Sequence, residues 1–294
     1  MTFALFVQAI LGGLTIGGAY CLIGYGFVLC WRVAKVINLA QVNSGLFGGF
    51  VCLWLTHLKF PLFVGIIAGI LASGLLGFLT DRLIINPLRR SKIIAWLIGG
   101  LAVHLLIRQT IIYWWGCDSF WFPSLLGKRE LTIAIGNAFI SLDRLLLIVV
   151  AFLIVYILEL VFDYTMLGKM MRATAHDEVA AALMGINTNM VVMSTLILSS
   201  VLCAIGIILQ APFTNLTSVM GFDIMIKGLI AAIVGGLDSR RGVAVAALVL
   251  GILESFGGIL TPAGYRDAFT FGMLILMLLT RPQGLFGKFI VREV

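Results

Sequence analysis

The chain alternates between long apolar runs and short polar connections that carry most of its charges. Residues 1–31 contain no charged side chain, and Arg32 is the first. A run of about 20 apolar residues is long enough for a helix to cross the hydrocarbon core of a bilayer. Further runs follow at 60–80, 93–115, 145–162, 189–210, 243–260 and 268–280. The pattern therefore predicts an all-α fold, a polytopic bundle of transmembrane helices.

Two shorter apolar runs, at 46–58 and 229–236, interrupt this regular pattern. Each is too short for a straight span, and each follows a polar stretch where a helix should already lie in the membrane. Backbone freed at such a break must face protein or a water-filled path, and paired breaks in two halves of a chain indicate a central transport site. The sequence thus predicts about eight to ten spans, two of them interrupted. The candidate pathway residues at the breaks are Asn38, Gln41, Asn43, Ser44, Asp223 and Lys227.

Composition supports a membrane protein, and the charges indicate its orientation. Hydrophobic residues make up 61% of the chain and charged residues only 11%, against about 25% charged residues in an average soluble domain. The net charge is +7, but the Lys and Arg residues form short clusters between apolar runs. This is typical of cytoplasmic loops and not of a nucleic-acid-binding surface. Clusters at 81–92, 165–185 and 238–242 predict that these loops and the C-terminus are cytoplasmic and that the N-terminus is outside.

Groups needed for catalysis, metal binding or nucleotide binding do not occur in recognisable patterns. The five cysteines have no CxxC spacing, and His57, His104 and His176 lie in different segments. No HExxH motif is present, and residues 284–289 lack the spacing and the hydroxyl of a GxxxxGK[ST] phosphate loop. The sequence therefore predicts no metal site, no catalytic residue and no ATPase site in this chain.

The polar stretch 165–185 predicts a short cytoplasmic helix. Asp177 is suited to the N-cap, residues 179–184 favour a helix, and Gly185 stands where a glycine commonly ends one. The predicted length is about two turns. Such a helix on the water-facing side of a membrane protein is suited to binding a partner.

Five short motifs, in order along the chain, resemble those of a known family. The chain resembles the permease subunits of bacterial branched-chain amino acid ABC transporters, the Liv-type importers, over nearly its whole length. The family patterns are Ile-Asn-Phe-Ala-His-Gly, Arg-Pro-Leu-Arg, a Gly-Arg-x-x-Arg-Ala segment that ends near Gly-Ile, Gly-Gly-x-Gly-Ser-x-x-Gly, and Arg-Pro-x-Gly-Leu-x-Gly. The counterparts are Val36–Gln41, Asn86–Arg89, Gly168–Ala173 with Asp177 and Leu183–Ile186, Gly235–Gly242, and Arg281–Gly287.

The resemblance implies an importer permease of the bacterial inner membrane with several partners. Such a subunit pairs with a second, related permease, as a heterodimer or a homodimer, and assembles with two cytoplasmic ATPase subunits and an external solute-binding protein. No cofactor is expected in this chain, because ATP and Mg²⁺ would bind the ATPase subunits. The 177–185 helix is then expected to be the coupling helix, with Ala181 and Leu183 on the face that contacts the ATPase. The coupling residues that the motif implies are Gly168, Lys169, Arg172, Ala173, Asp177, Ala181, Leu183 and Gly185.

Several positions depart from the family pattern. Gln41 stands where the family commonly has His, Asn86 replaces an Arg, and Asp238 replaces a Gly. The resemblance implies branched-chain or related amino acids as substrates, and urea, short amides and small aromatic or organic acids are alternatives. A second alternative is an ATP-independent secondary transporter, which would share the broken helices and would not need the 165–185 segment.

The segments outside the spans are too short to fold alone, so residues 1–294 are predicted to form a single permease domain. It carries a cytoplasmic coupling segment at 165–188 and an external segment at 116–143, which holds charges of both signs. The external segment either docks the solute-binding protein or is a solvated loop.

Several polar residues within the spans have two interpretations. The amide side chains at the first break either line the pathway or cap the broken helix ends. Asp223 and Lys227, four residues apart on a helix, either face the pathway or pair with each other. The same choice between a functional role and a position near the membrane interface applies to Glu159 and Glu254. His104 and Arg108, also four residues apart, either form a cationic face toward an anionic group, or His104 is a packed, hydrogen-bonded histidine and Arg108 extends to the outer headgroups.

Overall fold

The computed structural model describes residues 3–88, 93–126, 132–135, 138–260 and 265–287. Within these ranges the chain is helical apart from short strands and connections. The helices of the first half are α1 Phe3–Ala34, α2 Ala40–His57, α3 Leu62–Thr80, α4 Asn86–Leu88, α5 Ile93–Trp115 and α6 Leu142–Tyr164. A π-helical turn, Asp81–Ile85, joins α3 to the three-residue α4.

The second half begins with two short helices and continues with four longer ones. Their bounds are α7 Met166–His176, α8 Glu178–Leu183, α9 Thr188–Thr214, α10 Met220–Gly235, α11 Arg240–Leu260 and α12 Arg266–Thr280. Two small antiparallel pairings accompany the helices: β1 (Ser119–Phe120) with β4 (Leu216–Thr217), and β2 (Thr132–Ile135) with β3 (Ala138–Ser141). β1, β2 and β3 lie in the segment predicted to be external.

Six of the described helices are long and apolar enough to cross a membrane: α1, α3 with its continuation, α5, α6, α9 and α11. Three shorter helices, α2, α10 and α12, have 18, 16 and 15 residues. Together these nine described helices fall within the predicted range of eight to ten spans. Helices α2 and α10 are the two spans that the sequence predicted to be interrupted. The predicted all-α membrane bundle is confirmed.

Two helix boundaries differ from the prediction. The stretch before residue 46 was expected to be irregular, but α2 already begins at Ala40 and the break is confined to residues 35–39. The helix is possible there because Gly45 has no side chain and packs directly on the backbone of Cys203 in α9. The apolar run 189–210 predicted a helix that ends before Pro212, but Pro212 lies inside α9, which runs to Thr214. Membrane helices tolerate an internal proline where neighbouring groups satisfy the freed backbone.

Helices α1–α3 and α9–α11 have corresponding arrangements. In each group a long helix is followed by a break, a shorter helix and a returning helix. The two long helices pack antiparallel, since Gly26 lies near Ser199 and Gly206 lies near Ala19. Helix α1 packs on α11, and α9 packs on α3 in the equivalent way. This is the arrangement of an inverted repeat, with α2 and α10 as equivalent elements.

The contact between α1 and α11 depends on glycines. A Cβ at Gly251 would lie 2.6 Å from the Cα of Gly17 and would also meet the carbonyl of Gly13. A Cβ at Gly13 would lie 2.6 Å from the Cα of Ile252. Small residues allow this approach, and dispersion between the closely packed helices stabilises it in lipid. Helix α1 thereby becomes the buried centre of the bundle, where the side chain of Tyr25 is fully buried.

Candidate translocation and coupling sites

The first break leads into α2 through a local side-chain hydrogen bond. The side-chain Oδ1 of Asn38 accepts the backbone N–H of Ala40 at 3.1 Å, where the helix starts. This oxygen satisfies one backbone N–H at the start of α2, although the N-cap residue itself is Leu39, whose side chain makes no capping hydrogen bond. The Nδ2 of Asn38 has no hydrogen-bond partner among the described residues. Asn38 and the three predicted pathway residues in α2 are all buried: Asn38, Gln41, Asn43 and Ser44.

The start of α2 lies at the middle of the bundle and not at its surface. Asn43 Nδ2 donates to the carbonyl of His104 at 2.7 Å, and His104 Nδ1 lies 3.3 Å from the carbonyl of Leu39. His104 is close to the midpoint of α5, which spans 23 residues. Since α5 is a full-length span, α2 begins near mid-membrane depth.

The start of α10 meets the start of α2 at the same place. Gly221 lies so close to Asn43 that an added Cβ would collide with Asn43 Oδ1, and it would lie 3.1 Å from Leu46. The rings of Phe222 and His104 form an edge-to-face contact with centroids 6.0 Å apart. The two interrupted helices therefore meet N-terminus to N-terminus, which directs two positive helix-dipole ends toward one region. We call this region, formed by Asn38, Asn43, His104, Gly221 and Phe222, the central junction.

Gln41 and Asn43 do not line one surface, although both were predicted for the pathway. Two residues apart on a helix, they point to nearly opposite sides. Gln41 Oε1 lies 3.6 Å from the Sγ of Cys30, so its side chain faces α1. Ser44 Oγ donates to the backbone carbonyl of Ala40 at 3.1 Å, which is a local helix contact. Only Asn38 and Asn43 of the four amide and hydroxyl candidates belong to the central junction.

The central junction contains buried polar atoms that lack a hydrogen-bond partner within the described part of the chain. They are Asn38 Nδ2, Asn43 Oδ1 and His104 Nε2, and Gln41 Nε2 on the opposite face of α2 is similar. Leaving such a group unpaired costs about 1–3 kcal/mol. His104 was assigned either to a cationic face or to packing, and the structure shows it buried and in contact with the Leu39 carbonyl. Its position at the midpoint of an apolar span is the sequence signal that could have placed it near the breaks.

Asp223 and Lys227 form no pair with each other, so that interpretation was wrong. Lys227 Nζ lies 2.7 Å from Glu254 Oε1 and 2.8 Å from Asp267 Oδ1. Glu254 is buried and also accepts a hydrogen bond from the hydroxyl of Tyr20 at 2.9 Å. Lys227 thus joins α10 to α11 and α12, whereas Asp223 is exposed on the first turns of α10. Sequence spacing missed this because both partners of Lys227 are distant along the chain.

The 165–188 segment folds as two short helices. The predicted α8 is confirmed: Asp177 Oδ1 accepts the backbone N–H groups of Val179 at 2.8 Å and Ala180 at 3.0 Å. Gly185 follows the helix with a φ of +83°, a conformation that favours glycine. The preceding helix α7 was not predicted separately. It begins where Thr165 Oγ1 accepts the N–H of Gly168 at 3.2 Å.

Helix α8 carries an exposed apolar face. The exposed fractions of Val179, Leu183 and Met184 are 71%, 83% and 84%. Ala181 is buried instead, so the expectation that Ala181 and Leu183 share one exposed face was wrong. The two residues are two positions apart and therefore lie about 200° apart around the helix axis, so they face opposite sides of α8.

The remaining coupling candidates divide into exposed and packed residues. Lys169, Arg172, Asp177 and Gly185 are exposed, whereas Gly168 is buried where α6 turns into α7. A Cβ at Gly168 would lie 2.5 Å from the Cα of Phe162, so this corner requires a glycine. Ala173 lies half-buried on α7. Gly168 therefore supports the turn, while the exposed residues are available to a partner.

Two of the five motifs meet in space. Leu285 N donates to the carbonyl of Val234 at 2.7 Å, and Phe286 N donates to that of Gly235 at 3.3 Å. The Arg281–Gly287 end therefore closes back onto the Gly235–Gly242 loop. Of the Asn86–Arg89 motif, Arg89 lies outside the described residues.

The sequence matches a protein family over most of its length. Residues 9–278 match a family described as branched-chain amino acid transport system / permease component. The chain is 27% identical over 301 residues to the high-affinity branched-chain amino acid transport system permease protein BraD of Pseudomonas aeruginosa, covering 98% of both chains. It is 26% identical over 304 residues to the protein of corresponding name, LivH, of Escherichia coli K12, covering 99% of both chains.

A solved structure supports the fold independently. A chain of PsaBC from Streptococcus pneumoniae in complex with Fab matches with a TM-score of 0.52 and 16% sequence identity, over 97% of this chain and 95% of that chain. At this identity the likeness concerns the fold alone. The family of this chain is shown instead by the match over residues 9–278 and by the relatives that align with it from end to end. The chain belongs to the family of permease components of branched-chain amino acid transport systems.

Proposed function

We propose that this chain is the transmembrane permease subunit of an ATP-driven importer for branched-chain or related amino acids. The relatives BraD and LivH are named for branched-chain amino acid transport and match this chain from end to end. The solute would be delivered by an external binding protein and would pass through the bundle at the central junction. The inner membrane is the location that this role requires, with the N-terminus outside and the C-terminus in the cytoplasm.

The meeting of two helix N-termini at mid-membrane depth is the observation that carries the proposal. Helix N-termini stabilise negative charge, and the carboxylate of an amino acid supplies it. The unpaired Asn38 Nδ2 is a further donor, and Asn43 Oδ1 is an acceptor for an ammonium group. Gly221 lies directly against Asn43, so the two helix starts must separate before a solute can pass between them. Such a separation fits alternation between an outward-open and an inward-open state.

Energy for this alternation would come from partner subunits through α8. The exposed Val179, Leu183 and Met184 form an apolar face that fits a groove on an ATPase subunit by helix-in-groove packing. ATP binding would close the ATPase pair and move α8 with it. Because ATP binds the two states of the complex with different affinity, it can shift their populations. Two ATPase subunits would hold the ATP and Mg²⁺, and a second related permease, identical or not, would complete the membrane part.

The proposal is tested by reconstituting the permease with its partner subunits in proteoliposomes and measuring uptake of radiolabelled leucine. Uptake should require ATP on the ATPase side and the binding protein on the other. Uptake without ATPase subunits would instead indicate a secondary transporter. A binding protein that selects urea, a short amide or an aromatic acid in a thermal-shift screen would overturn the amino acid assignment while leaving the importer intact.

The role of α8 has its own test in the same system. Leu183→Arg replaces an exposed side chain, so the folded amount of permease should stay the same while association with the ATPase falls. Loss of one buried leucine contact corresponds to about 1.5–3 kcal/mol, or roughly 10- to 150-fold weaker binding. Ala181→Arg is the contrast, because Ala181 is buried and its replacement should lower the folded amount instead. Normal ATPase association of Leu183→Arg would contradict the coupling role of α8.

A further inference from the structure

An ion cluster joins the coupling segment to two transmembrane helices that it does not adjoin in sequence. Its centre is Arg240, the first residue of α11. Arg240 Nη2 lies 3.1 Å from Glu159 Oε2 and 3.1 Å from Asp163 Oδ1, both on α6. The guanidinium carbon also lies 5.0 Å from the ring centroid of Phe162, a cation–π contact. The side chain of Arg240 is only 15% exposed, so these contacts are partly shielded from water.

The cluster continues from Arg240 in two directions. On the coupling side, Arg172 of α7 has Nη1 3.3 Å from Asp163 Oδ1 and Nη2 3.3 Å from the Asp163 carbonyl. On the membrane side, Glu159 Oε1 accepts a hydrogen bond from the hydroxyl of Tyr25, in the buried centre of α1. The polar contacts therefore connect α7 through α6 to both α11 and α1.

The electrostatics make Arg240 the member that the cluster depends on. Glu159 and Asp163 are four residues apart on α6, and like charges at this spacing repel each other. Arg240 Nη2 lies 3.1 Å from each carboxylate and offsets part of this repulsion, and Arg172 adds a second positive charge at Asp163. Without it, the two carboxylates would separate and α11 would lose its ionic contact with α6. The contact with Glu159, which is 20% exposed, is better shielded from water than the contact with Asp163, which is 42% exposed, so its loss should cost more.

We propose that Arg240 is a positioning residue that transmits movement of the coupling segment to α1 and α11. Helix α7 moves with α8, and Arg172 and Asp163 carry this displacement to Arg240 at the start of α11. Since α11 and α1 pack through backbone contacts at Gly251, Gly13 and Gly17, they shift together. The inference rests on the proposed function, because it assumes that an ATPase displaces α8.

The test compares Arg240→Gln with Arg241→Gln in the reconstituted complex. Arg241 is the next residue on the same helix, is exposed and makes no ion pair with any described residue, so it is a matched control. Leucine uptake and ATP hydrolysis are measured together, and the amount of folded complex is measured by size-exclusion chromatography. For Arg240→Gln we expect the number of leucine molecules taken up per ATP to fall about tenfold, within the usual range for coupling between sites. Arg241→Gln should retain the wild-type ratio.

Two further variants separate transmission from simple support of the fold. Arg240→Lys keeps the positive charge but loses the planar guanidinium that lies against the Phe162 ring, so it should restore part of the ratio. Arg172→Gln changes a side chain that is 42% exposed, so it should fold normally and still lower the ratio. If uptake and hydrolysis fall in parallel for these variants, with the ratio unchanged, the inference is overturned. A wild-type complex that transports without ATP would overturn the proposed function itself, whereas ATP-driven transport with a normal ratio in Arg240→Gln would overturn this inference alone.

Discussion

Replacing Gly251 by alanine probes how closely the two central helices must approach. The new Cβ would lie 2.6 Å from the Cα of Gly17, where ordinary contact begins at 3.4 Å. It would also meet the Gly13 carbonyl and the Gly17 nitrogen, which are backbone atoms that cannot rotate away. Helices α1 and α11 must therefore move apart by nearly an ångström along much of their contact.

The size of the effect follows from two opposing terms. Overpacking a tight contact costs about 1–3 kcal/mol, and backbone atoms on the other side favour the upper part of that range. Alanine gains about 1 kcal/mol over glycine in intrinsic helix propensity. The free energy of unfolding should therefore fall by about 1–2 kcal/mol, because the packing term exceeds the propensity term.

The matched control is Gly272→Ala in α12, where an added Cβ meets no atom within 4 Å. Only the propensity term remains there, so stability should be unchanged or higher by up to about 1 kcal/mol. Both variants can be compared with the wild type by unfolding the detergent-solubilised permease in increasing denaturant and following tryptophan fluorescence. If Gly251→Ala were as stable as Gly272→Ala, the close approach of α1 and α11 would not be required.

Three other predictions concern the cap, the buried ion pair and the orientation. Asp177→Ala should cost about 1 kcal/mol in local stability of α8, seen as roughly fivefold faster hydrogen exchange at Val179; unchanged exchange would contradict the cap. Lys227→Met removes the ammonium group that lies 2.7 Å from the buried Glu254 carboxylate and should destabilise by about 3–5 kcal/mol, and the double variant with Glu254→Gln should recover most of this loss in the denaturant assay. No recovery would contradict the pairing. A membrane-impermeant maleimide should label the exposed Cys117 in intact cells, and labelling only in inverted vesicles would reverse the proposed topology.

The local features of the candidate sites were predictable because they depend on neighbouring residues. The cap of α8 follows from a side-chain oxygen two and three residues from the N–H groups that it accepts, and Gly185 follows from the left-handed turn after the helix. The position of the breaks near Asn38 and Asp223 was also readable, since both interrupt apolar runs. The ends of the helices were less predictable, since α2 begins already at Ala40 and α9 continues past Pro212.

Contacts between distant residues could not be predicted from spacing. Asp223 and Lys227 have the spacing of a helical pair, yet Lys227 binds Glu254 and Asp267 on other helices. Likewise Ala181 and Leu183 look equivalent in sequence, but only the fold shows that the first is buried. The proposed role of Arg240 depends on Glu159 and Asp163 of α6, which lie about 80 residues earlier in the chain. Helix α6 contains none of the five motifs, and Arg240 contacts these two carboxylates only in the folded chain.

The sequence by itself determined that this is a membrane bundle, where its helices break, and which polar segment forms a capped helix. These properties depend on hydropathy, on helix periodicity and on short-range capping. The tertiary structure decided that the two broken helices meet at His104, that Lys227 pairs across three helices, and that Arg240 connects the coupling segment to α1 and α11. In lipid, apolar surfaces are nearly equivalent, so the choice of partner helix depends on the fit of small residues and buried polar groups, and this fit is defined only in three dimensions.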